Sequence, residues 1–188
     1  MRIIDSNTYE NINFVSEAPE KAIYEECKFL SCDFRELNLS DFIFVDCIFE
    51  GCNFSMTNFT NASIQGGEFR KCKLMGVRFD QCNPILLSFG FTECILNLAS
   101  FSGLKIQGIQ FADCSLQEVD FSGANMQGAL FKRTDLYNAV FDNTILEKAD
   151  LRTALNYRID PENNYINGAK VSAEGLPGLL IKYGLEIE

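Results

Sequence analysis

From Tyr24 to Leu151 an apolar residue, most often Phe or Leu, returns at every fifth position. A first run goes from Tyr24 through Phe29, Phe34, Leu39 and Phe44 to Phe79, and a second from Leu86 through Phe91, Leu96 and Phe101 to Leu151. A helix repeats near 3.6 residues and a strand at 2, so neither accounts for this spacing. A short period held over most of a chain predicts a solenoid of equivalent short sides. Two residues before each centre sits a small or apolar residue, such as Cys32, Cys52, Ala62, Cys114, Val119, Ala124 or Ala139. Large inward centres alternating with small inward partners are what a narrow core needs.

The segment Val119-Asp120-Phe121-Ser122-Gly123 carries, in order, a small residue, an Asp, a large apolar centre, a polar residue and a Gly. Repeated through both runs, this pattern resembles the pentapeptide repeat family. The resemblance implies an all-β fold, a right-handed quadrilateral β-helix with one pentapeptide on each side and a short C-terminal helix.

Four such sides place residues twenty apart above one another, at roughly the 4.8 Å spacing of neighbouring strands. Phe79 to Leu86 is seven steps, so two residues must leave the coil for the columns to continue. With that allowance one column reads Phe29, Phe49, Phe69, Phe91, Phe111, Phe131, Leu151 and another Leu39, Phe59, Phe79, Phe101, Phe121, Phe141. A third runs from Phe34 and Phe54 through Leu74 to Leu136, and the fourth reads Tyr24, Phe44, Ile64, Leu86, Ile106, Met126, Leu146. Like stacks on like, which favours one continuous helix with a small outward loop near Gln81 to Ile85, where Pro84 interrupts a ladder. The repeat domain is therefore expected over 24–153. Tyr9 and Phe14 keep its register, so 1–23 reads as an imperfect first coil or cap. Residues 154–188 read as a C-terminal cap, with the chain leaving the coil at Arg158-Ile159-Asp160-Pro161. A helix is then predicted from Ser172 or Ala173 to a left-handed stop at Gly184. Leu176, Leu179, Leu180 and Tyr183 fall on one face of it. They either cover the last coil only or also pair two copies; similarity to gyrase-acting members of the family implies a homodimer.

All but Phe14, Phe42 and Phe89 of the 17 Phe residues are centres, so the aromatic content is the core itself. The eight cysteines share the small inward position, five of them (Cys32, Cys52, Cys72, Cys94, Cys114) in one column. A metal or redox ladder is one reading; space-filling by a small hydrophobe is the other, and the absence of His and of any CxxC pair favours it. No metal and no cofactor is expected. Met1-Arg2-Ile3-Ile4-Asp5 has no apolar leader, no run is long enough to span a membrane, and eight thiols suit a cytoplasmic setting.

The net charge is −10. Distributed over the four faces it peaks on the side of Leu39 to Phe141, where Asp41, Asp80, Asp120 and Asp142 stand against Arg78 alone. Direct nucleic-acid binding is not expected of such a surface. The resemblance extends to the family's quinolone-resistance members and implies a DNA mimic whose acidic rod enters the DNA site of DNA gyrase or topoisomerase IV. The chain departs from that subgroup in lacking its large projecting loops. A second reading is a general protein-interaction scaffold, with Ile23, Ile43, Val45, Ile85, Leu87 and Ile145 as an apolar contact face. Catalysis is not expected: no His exists, no phosphate-binding loop occurs, and the carboxylates lie on a convex surface.

Overall fold

The structure, a computed structural model, describes residues 1–186. Among the described residues eleven short strands form two parallel sheets. One contains β1 (Ile3–Asp5), β3 (Ile23–Glu25), β5 (Ile43–Val45) and β7 (Ser63–Gln65). The other contains, in spatial order, β2 (Thr8–Glu10), β4 (Lys28–Leu30), β6 (Ile48–Glu50), β8 (Gly67–Arg70), β9 (Phe89–Thr92), β10 (Gln110–Ala112) and β11 (Leu130–Lys132). Phe29, Phe49, Phe69, Phe91, Phe111 and Phe131 stand in one register, as the column expected. The remaining two sides are joined by single parallel bridges, among them Asn53–Lys73, Lys73–Ile95, Ser100–Asp120 and Asp120–Val140. The chain is a right-handed four-sided solenoid.

The corners come in two kinds, and each explains a sequence preference. At a tight corner the centre carbonyl accepts the N–H three residues on, as Phe101 does from Leu104 and Phe121 from Ala124. The residue two after the centre then has positive φ, as in a type II turn, and Gly103, Gly123 and Gly128 meet that demand without a Cβ penalty. At the sheet corners that turn bond is not made. There the centre carbonyl is reached by a side chain from the next coil: Cys27 donates to Ile4, Cys47 to Tyr24, Cys52 to Phe29, Cys72 to Phe49 and Cys94 to Phe69. Thr134 does the same for Phe111, at 3.1 Å. The cysteines are thus small donors as well as space-fillers. Cys52→Ala should cost about 0.5–1 kcal/mol more than Cys82→Ala, because it removes a second donor from the Phe29 carbonyl beside its ladder partner, whereas the Cys82 thiol holds no such carbonyl. Equal midpoint shifts in urea for the two variants would refute this role.

Aromatic rings fill the interior in a repeating geometry. Phe91 and Phe111 stack at 5.4 Å and 5° within a column, while Phe111 meets Phe121 edge-on at 6.0 Å across the coil. Phe69, Phe91 and Phe111 each have face-on partners above and below and edge-on partners beside them, the two arrangements that an aromatic quadrupole favours.

The break differs from its expected form. Leu86 does not continue the fourth column: it is 70% exposed, with positive φ. Pro84 and Ile85 lie outside with it. Leu87 packs partly against the core instead, and Phe89 fills it, against Phe79 and Phe91 at 5.1 and 5.3 Å. The Ser88 hydroxyl accepts the Gly66 N–H at 2.8 Å, repairing the ladder where the extra residues leave. Beyond the loop the fourth side changes from strand to tight corner, with Gly108, Gly128 and Gly168 at the turn position.

At the N-terminus β1 and β2 pair in register with β3 and β4. At the other end the coil continues past Pro161, contrary to the expected exit at Arg158: Ile145 bridges Tyr165 and Asp150 bridges Lys170. The repeat is disguised because buried Asn164 takes the small inward position. Its amide donates to the Phe141 and Asp160 carbonyls and accepts the Thr144 N–H. The expected helix from 172 to 184 contracts to α1 (Pro177–Leu180) and a 3-10 turn, Ile181–Tyr183, ending at Gly184 in the left-handed conformation. Close packing on Tyr157 sets this shape, since a Cβ at Gly178 would lie 2.3 Å from the Tyr157 carbonyl oxygen. The last two residues of the expected cap, 187 and 188, lie outside the described residues.

Candidate functional site

The four aspartates of the acidic face lie along one side, on the coils of Leu39, Phe79, Phe121 and Phe141 with those of Phe59 and Phe101 between, and their environments differ. Asp41 is held by Lys21 at 2.8 Å and by the Asn61 amide at 2.7 Å, and these contacts depress its pKa. Asp80 is clasped by the Arg78 guanidinium through two bonds, of 2.9 and 2.6 Å. Burial pushes Asp80 upward, but Arg78 and Ser100 outweigh it and hold the carboxyl below its ordinary range. Asp120 accepts only the N–H of Ser122, and Asp142 meets the side chain of Asn143 at 3.3 Å. Neither forms an ion pair among the described residues. The face is thus acidic in two parts: a neutralised half at Asp41 and Asp80, and an open half at Asp120 and Asp142.

A further acidic group escapes the sequence reading. Asp5 stands in register beside Glu25, and Glu26 and Asp46 follow on the same corner. None of the four is ion-paired among the described residues, although like charges side by side in a ladder repel. The twenty-residue register would have brought them together on paper, but summing charges face by face hid a corner shared by the end coil and the solenoid body.

The C-terminal face separates the expected dimer contacts. Leu179 packs against the core and Leu180 is half-buried, whereas Leu176 and Tyr183 are exposed. The Tyr183 hydroxyl donates to Glu162 at 2.9 Å, and Lys182 bridges Asp160 and Glu162 at 2.7 and 2.6 Å. Those bonds tie the cap to the last coil. A groove of about 560 Å³ lies between them, lined by Tyr137, Leu155, Tyr157, Gly175 and Ile181. Of the apolar face, Ile85 is exposed, Ile23, Ile43, Val45 and Ile145 are half-buried, and Leu87 turns toward the core. The row begins at Ile3, beside Ile23, so the N-terminal segment extends it instead of covering it.

All eight cysteines are buried and unbridged, and burial pushes the Cys47 and Cys82 thiols up to about 12. Among the described residues no cluster of His, Cys, Asp or Glu is arranged to hold a metal, and no helix is long and apolar enough to cross a membrane.

Comparison with curated protein sequences finds no match. Among solved structures the fold is similar to full-length QnrB1, a plasmid-mediated fluoroquinolone resistance protein, with a TM-score of 0.65, 18% identity, and coverage of 97% of this chain and 100% of that one. A trypsin-treated variant of QnrB1 aligns at 26% identity and a TM-score of 0.62, over 100% of this chain and 92% of that one. HetL, a pentapeptide repeat protein involved in heterocyst differentiation regulation in the cyanobacterium Nostoc sp., matches at a TM-score of 0.49 and 17% identity, over 91% and 85% of the two chains. The model of the pentapeptide repeat region matches residues 22–89 and 73–151, the same span over which the centres stack and the corners recur. The chain belongs to the pentapeptide repeat family.

Proposed function

We propose that this protein acts by binding, as a DNA mimic that occupies the DNA site of a type II topoisomerase, DNA gyrase or topoisomerase IV, and alters its response to fluoroquinolones. The observation that carries the reading is an acidic rod whose fold aligns along its whole length with QnrB1, at 26% identity to a trypsin-treated variant and 18% to the full-length protein. A net charge of −10 repels nucleic acid and attracts the basic surfaces that bind it. Buried free thiols suit a reducing cytoplasm, where such a partner works. Exposed Leu176 and Tyr183 are available to pair two copies through the cap, which would lengthen the rod. In a supercoiling assay, titrating the purified protein with and without a fluoroquinolone should give inhibition or rescue at micromolar protein or below. No effect at large excess would remove the reading. A scaffold function would then rest on the apolar row of exposed Ile3 and Ile85 with half-buried Ile23 and Ile43.

A further inference from the structure

We infer that the N-terminal end of the solenoid is a strand-addition site for an extended, basic segment of a partner protein. The inference does not depend on the topoisomerase reading. β1 and β2 are the outermost strands of their two sheets, and both belong to the first coil. On their inner side they are paired: the Arg2 and Asn7 carbonyls accept the Ile23 and Lys28 N–H groups, and Ser6 and Asn11 donate to Glu25 and Leu30. A parallel strand turns alternate groups to its two neighbours. By translation of that pattern, the N–H groups of Ile3 and Thr8 and the carbonyls of Asp5 and Glu10 point outward. They form a row of donors and acceptors that an extended chain can pair with.

The side chains fit the same use. The column residues at this end, Ile4 and Tyr9, are only half-buried, whereas Tyr24 and Phe29 just above them are 2% and 1% exposed. Ile3 is 56% exposed. An added strand would cover these groups. At the opposite end α1 and its flanking turns already do so, with Ile159 donating to the Gly178 carbonyl at 3.0 Å.

Charge selects the occupant. Asp5 adjoins Glu25 and Glu26 on the β1 side, and Glu10 lies on β2. The neighbouring cations are engaged, Arg2 with Glu20 and Lys21 with Asp41. Among the described side chains there, Lys28, in register with Thr8, is the exception, and it places the basic preference on the β1 side. A lysine or arginine entering beside Asp5 would relieve the repulsion between it and Glu25. A second copy of the chain would bring the same carboxylates against their like, so the edge does not suit self-pairing.

The test uses the full chain and a fluorescent peptide of alternating lysine and valine, with a glutamate–valine peptide as control, read by anisotropy. The basic peptide should bind with an affinity that falls with salt, and the acidic one should not bind. Ile3→Pro removes an outward donor while keeping the Arg2 and Asp5 carbonyls, and Glu25→Lys removes the charge preference without touching the edge. Each should weaken binding about tenfold, with thermal unfolding confirming that the coils persist. Equal binding of both peptides, or binding unchanged in both variants, would overturn the inference. So would a dimer, by analytical ultracentrifugation, that Ile3→Pro dissolves.

Discussion

Phe111→Ala should destabilise the protein by about 3–5 kcal/mol, the range for emptying an aromatic site in a packed core. Phe111 is fully buried. It stacks on Phe91 at 5.4 Å and on Phe131 at 5.5 Å, and meets Phe101 and Phe121 edge-on at 5.8 and 6.0 Å. Removing it leaves four rings facing a gap that the rigid ladder of β9, β10 and β11 cannot close. A domain of this size has about 5–15 kcal/mol in hand, so the loss is a large share. Each coil contacts only its neighbours, so the damage should fall at one junction and broaden the unfolding transition as well as shift it. Phe111→Leu keeps most of the volume and should cost about 1–2 kcal/mol. Denaturant unfolding followed by circular dichroism measures both. A loss below about 1 kcal/mol for the alanine variant would mean that the coils collapse around the gap.

The reason this core could be read from the sequence is that its period is written in large residues. Phe29, Phe49, Phe69, Phe91, Phe111 and Phe131 announce their own stacking, and a step of twenty aligns them apart from the two-residue break. The reading failed where the coil persists without that signature. Asn164 is buried by satisfying its amide with Phe141, Asp160 and Thr144, so the final coil carries no apolar mark at that position. Leu86 failed in the opposite sense. Its size and spacing suit a centre, but Pro84 and the excess residues carry the chain outward there, and Phe89 takes the interior space from the neighbouring small position. Periodicity reports which residues could face inward; which of two candidates does so is decided by backbone hydrogen bonds that the pattern does not contain.

The surface was harder to read, for a related reason. Net charge per face is additive along the sequence, but whether a carboxylate is available depends on what stands one coil away. Lys21 reaches Asp41 across one turn of the solenoid, and Arg133 reaches Asp113 in the same manner. The expected acidic face is therefore interrupted at Asp41 by a partner from an adjacent coil and at Asp80 by Arg78 of its own coil, while the Asp5, Glu25, Glu26 and Asp46 corner stays open because its register contains no cation.

This distinction between open and engaged carboxylates leads to the second large effect. If the acidic face of Asp41, Asp80, Asp120 and Asp142 enters a DNA site, reversing all four charges should abolish the effect on gyrase while leaving the core intact. The open pair should carry most of it. Asp120 and Asp142 lie on adjacent coils without ion-pair partners, so an incoming Arg or Lys can bond them at once. To reach Asp41 or Asp80 it must first displace Lys21 or Arg78. A hydrogen bond to a charged group contributes about 1.5–3 kcal/mol, so Asp120→Asn with Asp142→Asn should weaken inhibition about tenfold or more. Asp41→Asn with Asp80→Asn should weaken it only about twofold to threefold, chiefly through the lost long-range field. The comparison belongs near physiological salt, where screening beyond about 8 Å suppresses that field and leaves the direct contacts. Equal losses from the two pairs would mean that the enzyme senses overall charge density and not free carboxylates. No loss from either, with wild-type inhibition intact, would move the contact to another face, and the unpaired corner of Asp5, Glu25, Glu26 and Asp46 would then be the acidic surface to reverse next.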